Sequence, residues 1–199
     1  MLAAFRHAAE GDDLQSRSIH VWATGVLAEM EGDHRTALEA GRTAMEARRT
    51  LGMGFQGVKQ GFALAVQAAL ALRDTDRAEE ILELLDALPP AQVFPFYQAH
   101  RDRSRARLGI LRGDDTAVEG HFKAAIGMFR ELGMPFWMAV SLLEHAEWLA
   151  SAGRSADAMA PASEARELFE RLRATRWLDR LGDRFGAVSV AAGEHSSST

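Results

Sequence analysis

Glycine recurs along this chain at a fixed step, at the ends of stretches whose apolar residues have helical spacing. Gly32, Gly113 and Gly153 are separated by 81 and 40 positions, and Arg73 occupies the intermediate place. A second landmark gives the same step, because the sequence LGMGF at 51–55 reappears as LGMPF at 132–136. A constant step of about 40 residues is typical of repeat architectures, so we predict a chain of similar consecutive units.

The clearest unit lies at residues 135–174 and predicts a helical hairpin. Apolar residues at helical spacing form a stripe from Phe136 to Leu149, and Gly153 then interrupts the run. A second stripe follows, consisting of Ala158, Ala162, Ala165, Phe169 and Leu172. An isolated hairpin would leave both stripes uncovered, so each unit is expected to stack on a neighbour.

The recurring landmarks divide residues 1–186 into one predicted repeat domain. Its parts are a partial repeat at 1–15, full repeats at 16–53, 54–93, 94–134 and 135–174, and a capping helix at 175–186. Small residues that let paired helices approach closely recur in two registers: Gly25, Val66, Ala106 and Ala146, then Ala37, Ala78, Val118 and Ala158. Asp33 is a predicted N-cap, and the small polar residues 187–199 predict a disordered tail.

Composition narrows the fold and excludes several kinds of function. Ala, Leu, Glu and Arg are abundant and are good helix formers, so the fold class is predicted to be all-α. A formal net charge of -5 argues against general nucleic-acid binding, which needs clustered Lys and Arg. The absence of cysteine excludes disulfides and thiolate chemistry, and a cytoplasmic location is expected. The longest apolar run, 61–72, is too short to span a membrane and predicts a buried helix.

The N-terminal sequence has the pattern of a helix end, with Leu2, Phe5 and Ala9 on one side. Solenoids normally begin with a polar cap, so we expect this chain to be a fragment or a shortened relative of something longer. The uncovered apolar side would also allow a homodimer to form through the partial repeat. Charged residues in this segment predict that it is not a signal peptide.

Motifs for catalysis, cofactors or metals are not evident. The sequence GMGFQG at 52–57 matches a dinucleotide-binding pattern, but a predicted helix precedes it where that fold requires a strand, so an inter-repeat turn is expected. His145 lies beside Glu144 and Glu147 and is predicted to be a histidine partly covered by the next helix. The seven histidines show no metal-ligand spacing. The expectation is a non-enzymatic chain without a cofactor.

One charged segment, HRDRSRAR at 100–107, suggests a binding surface. On a helix His100, Arg103 and Arg107 share a face, which the repeat alignment places on the inner, concave side. The predicted partner-binding residues of that side are Trp22, Gln60, Gln67, His100, Arg103, Arg107 and Glu147. A basic centre would suit an acidic peptide tail or another anion. The alternative is a solvated polar face with local ion pairs to Asp102 or Glu147.

The hairpins, with their small residues at the helix crossing and a turn glycine, resemble tetratricopeptide (TPR) repeats, although the step exceeds the usual 34 residues. The segments EGDDLQSRS, LELLDALPP, FRELGMPFWMAVSLLEHAEWLASAGR and ARELFERLRATRWLDRL are more closely similar to the C-terminal helical-repeat region of large actinobacterial signalling proteins. Those are class III adenylate/guanylate cyclases with an AAA-type ATPase module, and related large LuxR-type regulators. The resemblance implies a right-handed α-solenoid of about four TPR-like hairpins with a C-terminal capping helix.

The function implied is a non-enzymatic protein-interaction or regulatory module that recognises a protein or peptide partner on its concave face. Nucleic acid and membranes are not expected as partners. The alternative is a small-molecule effector-binding sensor domain of a cyclase- or LuxR-type regulator. A protein partner predicts an open groove with exposed apolar and basic residues, whereas an effector predicts a closed, mostly apolar cavity.

Overall fold

The computed structural model describes residues 13–186, and this part of the chain is helical, without strands. In chain order its helices are α1 Leu14–Glu31, α2 His34–Glu46, α3 Arg48–Leu51, α4 Gln56–Ala71, α5 Thr75–Asp86, a 3₁₀ turn Pro90–Gln92, α6 Pro95–Arg112, α7 Val118–Glu131, α8 Pro135–Ser151, α9 Ser155–Leu172 and α10 Thr175–Phe185. The all-α prediction is confirmed for these residues. Most of the predicted partial repeat and the predicted disordered tail lie outside the described residues.

Two long helices lie within the bounds of almost every predicted full repeat, joined by a tight turn. The first helices of the four pairs are α1, α4, α6 and α8, and the second helices are α2, α5, α7 and α9. Helix α1 begins two residues before the predicted repeat boundary, at Leu14, because Asp13 caps it by accepting hydrogen bonds from the Gln15 and Ser16 amides. The predicted capping helix corresponds to α10.

Each first helix ends in the same left-handed turn. The φ angles are 85° at Gly32, 58° at Arg73, 70° at Gly113 and 77° at Gly153, at the four positions aligned from the sequence. The next amide then donates to a carbonyl five residues earlier, in the bonds Asp33 to Ala28 (2.9 Å), Asp74 to Ala69 (3.0 Å), Asp114 to Gly109 (2.9 Å) and Arg154 to Leu149 (2.9 Å). This arrangement satisfies carbonyls that a helix end would otherwise leave unpaired.

Aspartate follows three of these turns, and at two of them, Asp33 and Asp74, it caps the next helix directly. The Asp33 carboxylate accepts from the Thr36 amide at 3.0 Å, which confirms the predicted N-cap, and Asp74 accepts from the Arg77 amide at 3.0 Å. Hydrogen bonds from the Thr36 hydroxyl and amide lower the pKa of Asp33. In the fourth turn the position holds Arg154 instead, which has no capping side-chain bond.

The aligned small residues are buried without exception. They are Gly25, Val66, Ala106 and Ala146 on the first helices, and Ala37, Ala78, Val118 and Ala158 at or near the second. Backbone atoms approach closely where α2 crosses α4, since a Cβ on Gly41 would lie 2.7 Å from the Ala65 nitrogen and 2.8 Å from the Gly61 oxygen. Backbone therefore packs directly on backbone at this crossing.

The chain forms two compact modules. The N-terminal module, residues 13–118, is built around α4, which packs against α1, α2, α5 and α6. Helix α4 is the predicted buried helix, and its Phe62 contacts the Tyr97 ring edge-on at 5.3 Å between centroids. The Tyr97 hydroxyl donates to the Met53 carbonyl at 2.7 Å, which ties the 52–57 turn to α6.

The C-terminal module, residues 119–186, pairs α8 with α9 and covers both with α10. Trp177 of α10 stacks on Phe169 with 5.6 Å between ring centroids and meets Phe136 edge-on at 5.9 Å. The predicted α9 stripe is buried except at its end, because Leu172, in the last turn of the helix, is 40% exposed. Among residues 13–186 no helix has the length and apolar character needed to cross a membrane.

We expect Gly41→Ala to lower the free energy of unfolding by about 1–3 kcal/mol, because its Cβ would meet backbone atoms that cannot rotate away. Urea denaturation followed by circular dichroism measures the change. The control is Gly120→Ala in α7, where an added Cβ has no neighbour within 4 Å and should raise stability by about 0.5–1 kcal/mol. Equal stability of Gly41→Ala and the parent would contradict the close approach.

We expect Arg73→Gly to stabilise the chain by about 0.5–1 kcal/mol. A non-glycine residue at φ 58° is strained, and the relief should exceed the entropy that glycine gains in the unfolded chain. The converse change, Gly113→Arg, should destabilise by a similar amount. Thermal melts of both variants provide the comparison. The melting temperature should rise for Arg73→Gly and fall for Gly113→Arg.

Candidate functional site

A row of hydrogen-bonded polar side chains crosses three first helices of the N-terminal module. Gln67 on α4 donates from Nε2 to Glu29 Oε1 on α1 at 3.1 Å, and its Oε1 accepts from an Arg103 guanidinium nitrogen on α6 at 3.3 Å. Glu29 also bonds to His34, with 2.8 Å between Oε2 and Nδ1. We call His34, Glu29, Gln67 and Arg103 the polar row.

Opposite charges on either side of Gln67 orient its side-chain amide. Arg103 has only donors, so it faces the Gln67 oxygen, whereas the Glu29 carboxylate accepts from the Gln67 nitrogen. Arg103 is 2% exposed, and a cation removed from water to that extent needs hydrogen-bond partners. The Glu29 side chain keeps 16% exposure. The row is therefore buried at α6 and reaches solvent at α1.

His100, one turn before Arg103, lies in the core of the N-terminal module. It is 1% exposed, and its ring lies 4.5 Å from the Phe96 ring between centroids. Burial and, to a lesser degree, the nearby Arg103 charge lower the pKa of His100 well below its ordinary value. The predicted basic centre therefore carries fewer charges than expected, and two of its three members are covered.

Three other arginines of α6, namely Arg101, Arg105 and Arg112, bind α5. Arg105 bonds to Glu79, and to Asp86 at 2.8 Å, while Arg112 bonds to Glu79 at 2.7 Å and Arg101 to Asp86 at 3.4 Å. Burial opposes ionisation of Glu79, but the two arginine hydrogen bonds outweigh it and lower its pKa. Arg101 and Arg105 are not among the residues that the sequence assigns to the inner face, and their contacts with α5 agree with that assignment.

The predicted partner-binding residues divide between the two modules. Trp22, Gln60, Gln67, His100, Arg103 and Arg107 lie in the N-terminal module, and Glu147 lies in the C-terminal module. Of this set, Gln67 and Arg103 share a hydrogen bond. Trp22 is partly exposed and packs its apolar surface on the core, while Gln60 and Arg107 are also partly exposed.

Glu147 is half of an ion pair within its own module. Arg180 of α10 donates from Nε to Glu147 Oε1 at 2.8 Å, and its guanidinium lies 5.4 Å from the centre of the Trp177 ring. The ion pair fastens α10 onto α8, and the cation–π contact, which lies within α10, helps to hold the Arg180 side chain in place. This contact is enough to account for the polar character of position 147 in structural terms.

Sequence analysis missed Glu29 and His34. Glu29 is seven residues after Trp22, two full helical turns on, and so belongs to the same stripe of α1. The neighbouring Met30 is 64% exposed. Helical spacing could have identified Glu29, because its seven-residue separation from Trp22 equals that between Gln60 and Gln67 on α4. His34 follows the turn, where spacing along a helix gives no guidance.

His145 is the second buried histidine, and it lies in the C-terminal module. It is 6% exposed, and its ring stacks against Phe122 and Trp148 at 5.5 and 6.1 Å between centroids. Its Nε2 is buried and has no hydrogen-bond partner in the described chain. Burial is the main cause that lowers the pKa of His145. The charges of Lys123 and Arg154 act in the same direction, and Glu119 opposes them.

No group of three or more His, Asp or Glu side chains within residues 13–186 is arranged to hold a metal ion. The glycine-rich sequence at 52–57 follows the short helix α3, as predicted, so it lacks the strand that a dinucleotide-binding turn requires. Comparison with models of known protein families finds no match, and no curated protein matches the chain either. Functional inference therefore depends on the geometry described above.

We expect the C-terminal module to lose stability as the pH falls below about 6.5, the ordinary histidine pKa. The folded pKa of His145 is depressed, so below that pH the unfolded chain binds more protons, with a slope of up to about 1.4 kcal/mol per pH unit. Hydrogen bonds from Arg154 and Lys123 lower the pKa of Glu119 to about 2, so this carboxylate stays ionised throughout.

Urea unfolding followed by tryptophan fluorescence between about pH 7.5 and pH 5.5 measures the slope, because three of the four tryptophans lie in this module. The variant His145→Phe retains an aromatic ring but cannot bind a proton there, so its free energy of unfolding should vary less with pH. An unchanged slope in this variant would assign the pH effect to other groups.

Proposed function

We propose that this chain is a non-enzymatic helical-repeat module that binds a protein partner through the face formed by α1, α4 and α6, the first helices of its N-terminal module. The observation that carries the proposal is the polar row, which joins α1, α4 and α6 through the hydrogen bonds of Gln67. The same helices carry partly exposed residues that include Trp22 and Gln60. Such a face offers both apolar and polar contacts to a bound segment.

Energetic considerations support a binding role for this row. A seam between packed helices is usually filled by apolar side chains, and charged groups there cost desolvation energy. The hydrogen bonds among Glu29, Gln67 and Arg103 hold these side chains in fixed positions before a ligand arrives. Pre-organised side chains lose less entropy on binding, so they favour recognition of a defined partner.

The partly exposed indole of Trp22 on α1 would supply much of the affinity for the partner. Trp22 packs one side of its indole on the core and leaves the rest accessible, an arrangement common among residues that dominate interface energies. Arg107, partly exposed on α6, would add a cation for a carboxylate of the partner.

The proposal includes the architecture and setting inferred from the sequence. The shared left-handed turns at a step of about 40 residues support a TPR-like arrangement, and a right-handed solenoid is the form we propose for it. By resemblance, the module would serve a cytoplasmic signalling or transcription-regulatory system of the cyclase or LuxR type.

The test begins with capture of partners by the purified chain from an extract of the source cells, followed by mass spectrometry. Each captured protein is then purified, and its affinity is measured by calorimetry. Replacing Gln60 and Arg107 together by alanine should lower the affinity for the authentic partner by at least about tenfold, which corresponds to about 1.4 kcal/mol of binding free energy. Both residues are partly exposed, so the fold should survive, and circular dichroism verifies this.

A matched control replaces Gln92 and Arg35 by alanine, since both are exposed and lie outside the first helices. The control should keep parental affinity. Equal binding by the two double variants would exclude the first-helix face. If no protein binds but a metabolite mixture raises the melting temperature, the small-molecule effector function would replace this proposal.

A further inference from the structure

A cleft of about 460 Å³ opens beside the second helices of the N-terminal module, and none of its lining residues belongs to the polar row. One wall comes from α2 and α3 and the other from α5, and both α2 and α5 pack on α4. Its volume falls within the range of ligand-binding clefts. Four arginines line it: Arg42, Arg48, Arg49 and Arg77.

The charges in the cleft are unbalanced. Arg77 bonds to Glu80, and Arg48 donates to the Met45 carbonyl at 3.2 Å. Arg42 and Arg49 are exposed, and within the described part of the chain neither is paired with a carboxylate. Besides Glu80, the lining contains one further carboxylate, Glu46, so four cations face two anions. An anionic ligand would compensate the excess.

Apolar side chains form the floor between these arginines. Met45 and Ile81 are 3% exposed, whereas Leu84 is 38% exposed and offers its surface to a ligand. A cleft that combines an apolar floor with exposed arginines is better suited to a peptide than to a bare inorganic anion, which would use only the charges.

The spacing of the unpaired arginines specifies the peptide. Arg42 and Arg49 are seven residues apart on the nearly continuous helices α2 and α3, which corresponds to about 10 Å along the axis. An extended peptide in the polyproline II conformation advances about 3.1 Å per residue with three residues per turn, so side chains three positions apart lie on one face, about 9 Å apart. We propose that this cleft binds an extended acidic segment of a partner protein, with carboxylates three residues apart on Arg42 and Arg49 and an apolar side chain between them on Leu84.

The experiment uses the full chain and a fluorescein-labelled peptide containing Glu-Ala-Leu-Glu flanked by glycines, with binding followed by fluorescence anisotropy. The parent should bind this peptide, bind the Gln-Ala-Leu-Gln analogue at least about tenfold more weakly, and lose affinity as salt rises. Arg42→Glu with Arg49→Glu should abolish binding. Failure of the parent to bind the acidic peptide overturns the proposal.

A charge-matched control separates the cleft from the overall field of the protein. Arg171→Glu with Arg184→Glu makes the same change in net charge at two exposed positions of the C-terminal module, and it should keep affinity within about twofold. Equal losses in the two double variants would show non-specific charge attraction and contradict the site.

A double-mutant cycle tests the apolar contact. Replacing the peptide leucine by glycine should weaken binding to the parent but have little further effect on Leu84→Ser, because the two changes remove the same contact. Independent effects would place the peptide elsewhere, and displacement by inorganic phosphate at low concentration would indicate a simple anion site instead.

The first-helix variant of Gln60 and Arg107 should bind the peptide normally, so this test and that of the proposed function can fail separately.

Discussion

The left-handed turn at the end of each first helix is the constraint on which the remaining structure depends. At Gly32, Arg73, Gly113 and Gly153 the chain reverses with a positive φ, and the following amide returns to a carbonyl five residues earlier. Since the same closure recurs, corresponding positions of successive hairpins acquire the same environment, as the burial of every aligned small residue shows. In the N-terminal module this closure lets first helices present a common face, and Gln67 bridges three of them there.

Close packing of the helices that these turns connect produces two different surfaces on the N-terminal module. Gly41 and Gly61 let α2 and α4 approach until backbone contacts backbone, which a larger residue would prevent. The first helices then carry hydrogen-bonded polar groups with little freedom to move. The second helices leave a cleft whose arginines, Arg42 and Arg49, have no carboxylate partner among the described residues. One surface is pre-organised by its own contacts, and the other has an excess of positive charge available to a ligand.

Sequence periodicity was sufficient to locate the helices and their turns, because apolar residues recur at helical spacing and glycine and aspartate act locally at helix ends. It was less informative about exposure. His100 and Arg103 share a face with Arg107, as predicted, yet both are buried, because helical spacing gives a direction and not the depth of covering. The cleft was not foreseen at all. Its arginines come from separate helices, and only the crossing of α2 and α5 over α4 brings them together.

Hydrogen exchange by NMR tests the repeated turn most directly. The amides to observe are those of Asp33, Asp74, Asp114 and Arg154, which follow the four left-handed residues. The account predicts that all four exchange at least about a hundredfold more slowly than amides in an unstructured peptide, since each donates to a helix carbonyl. Exchange at the unstructured rate, above all at Asp74, where Arg73 replaces glycine, would contradict a common turn and the repeat built on it.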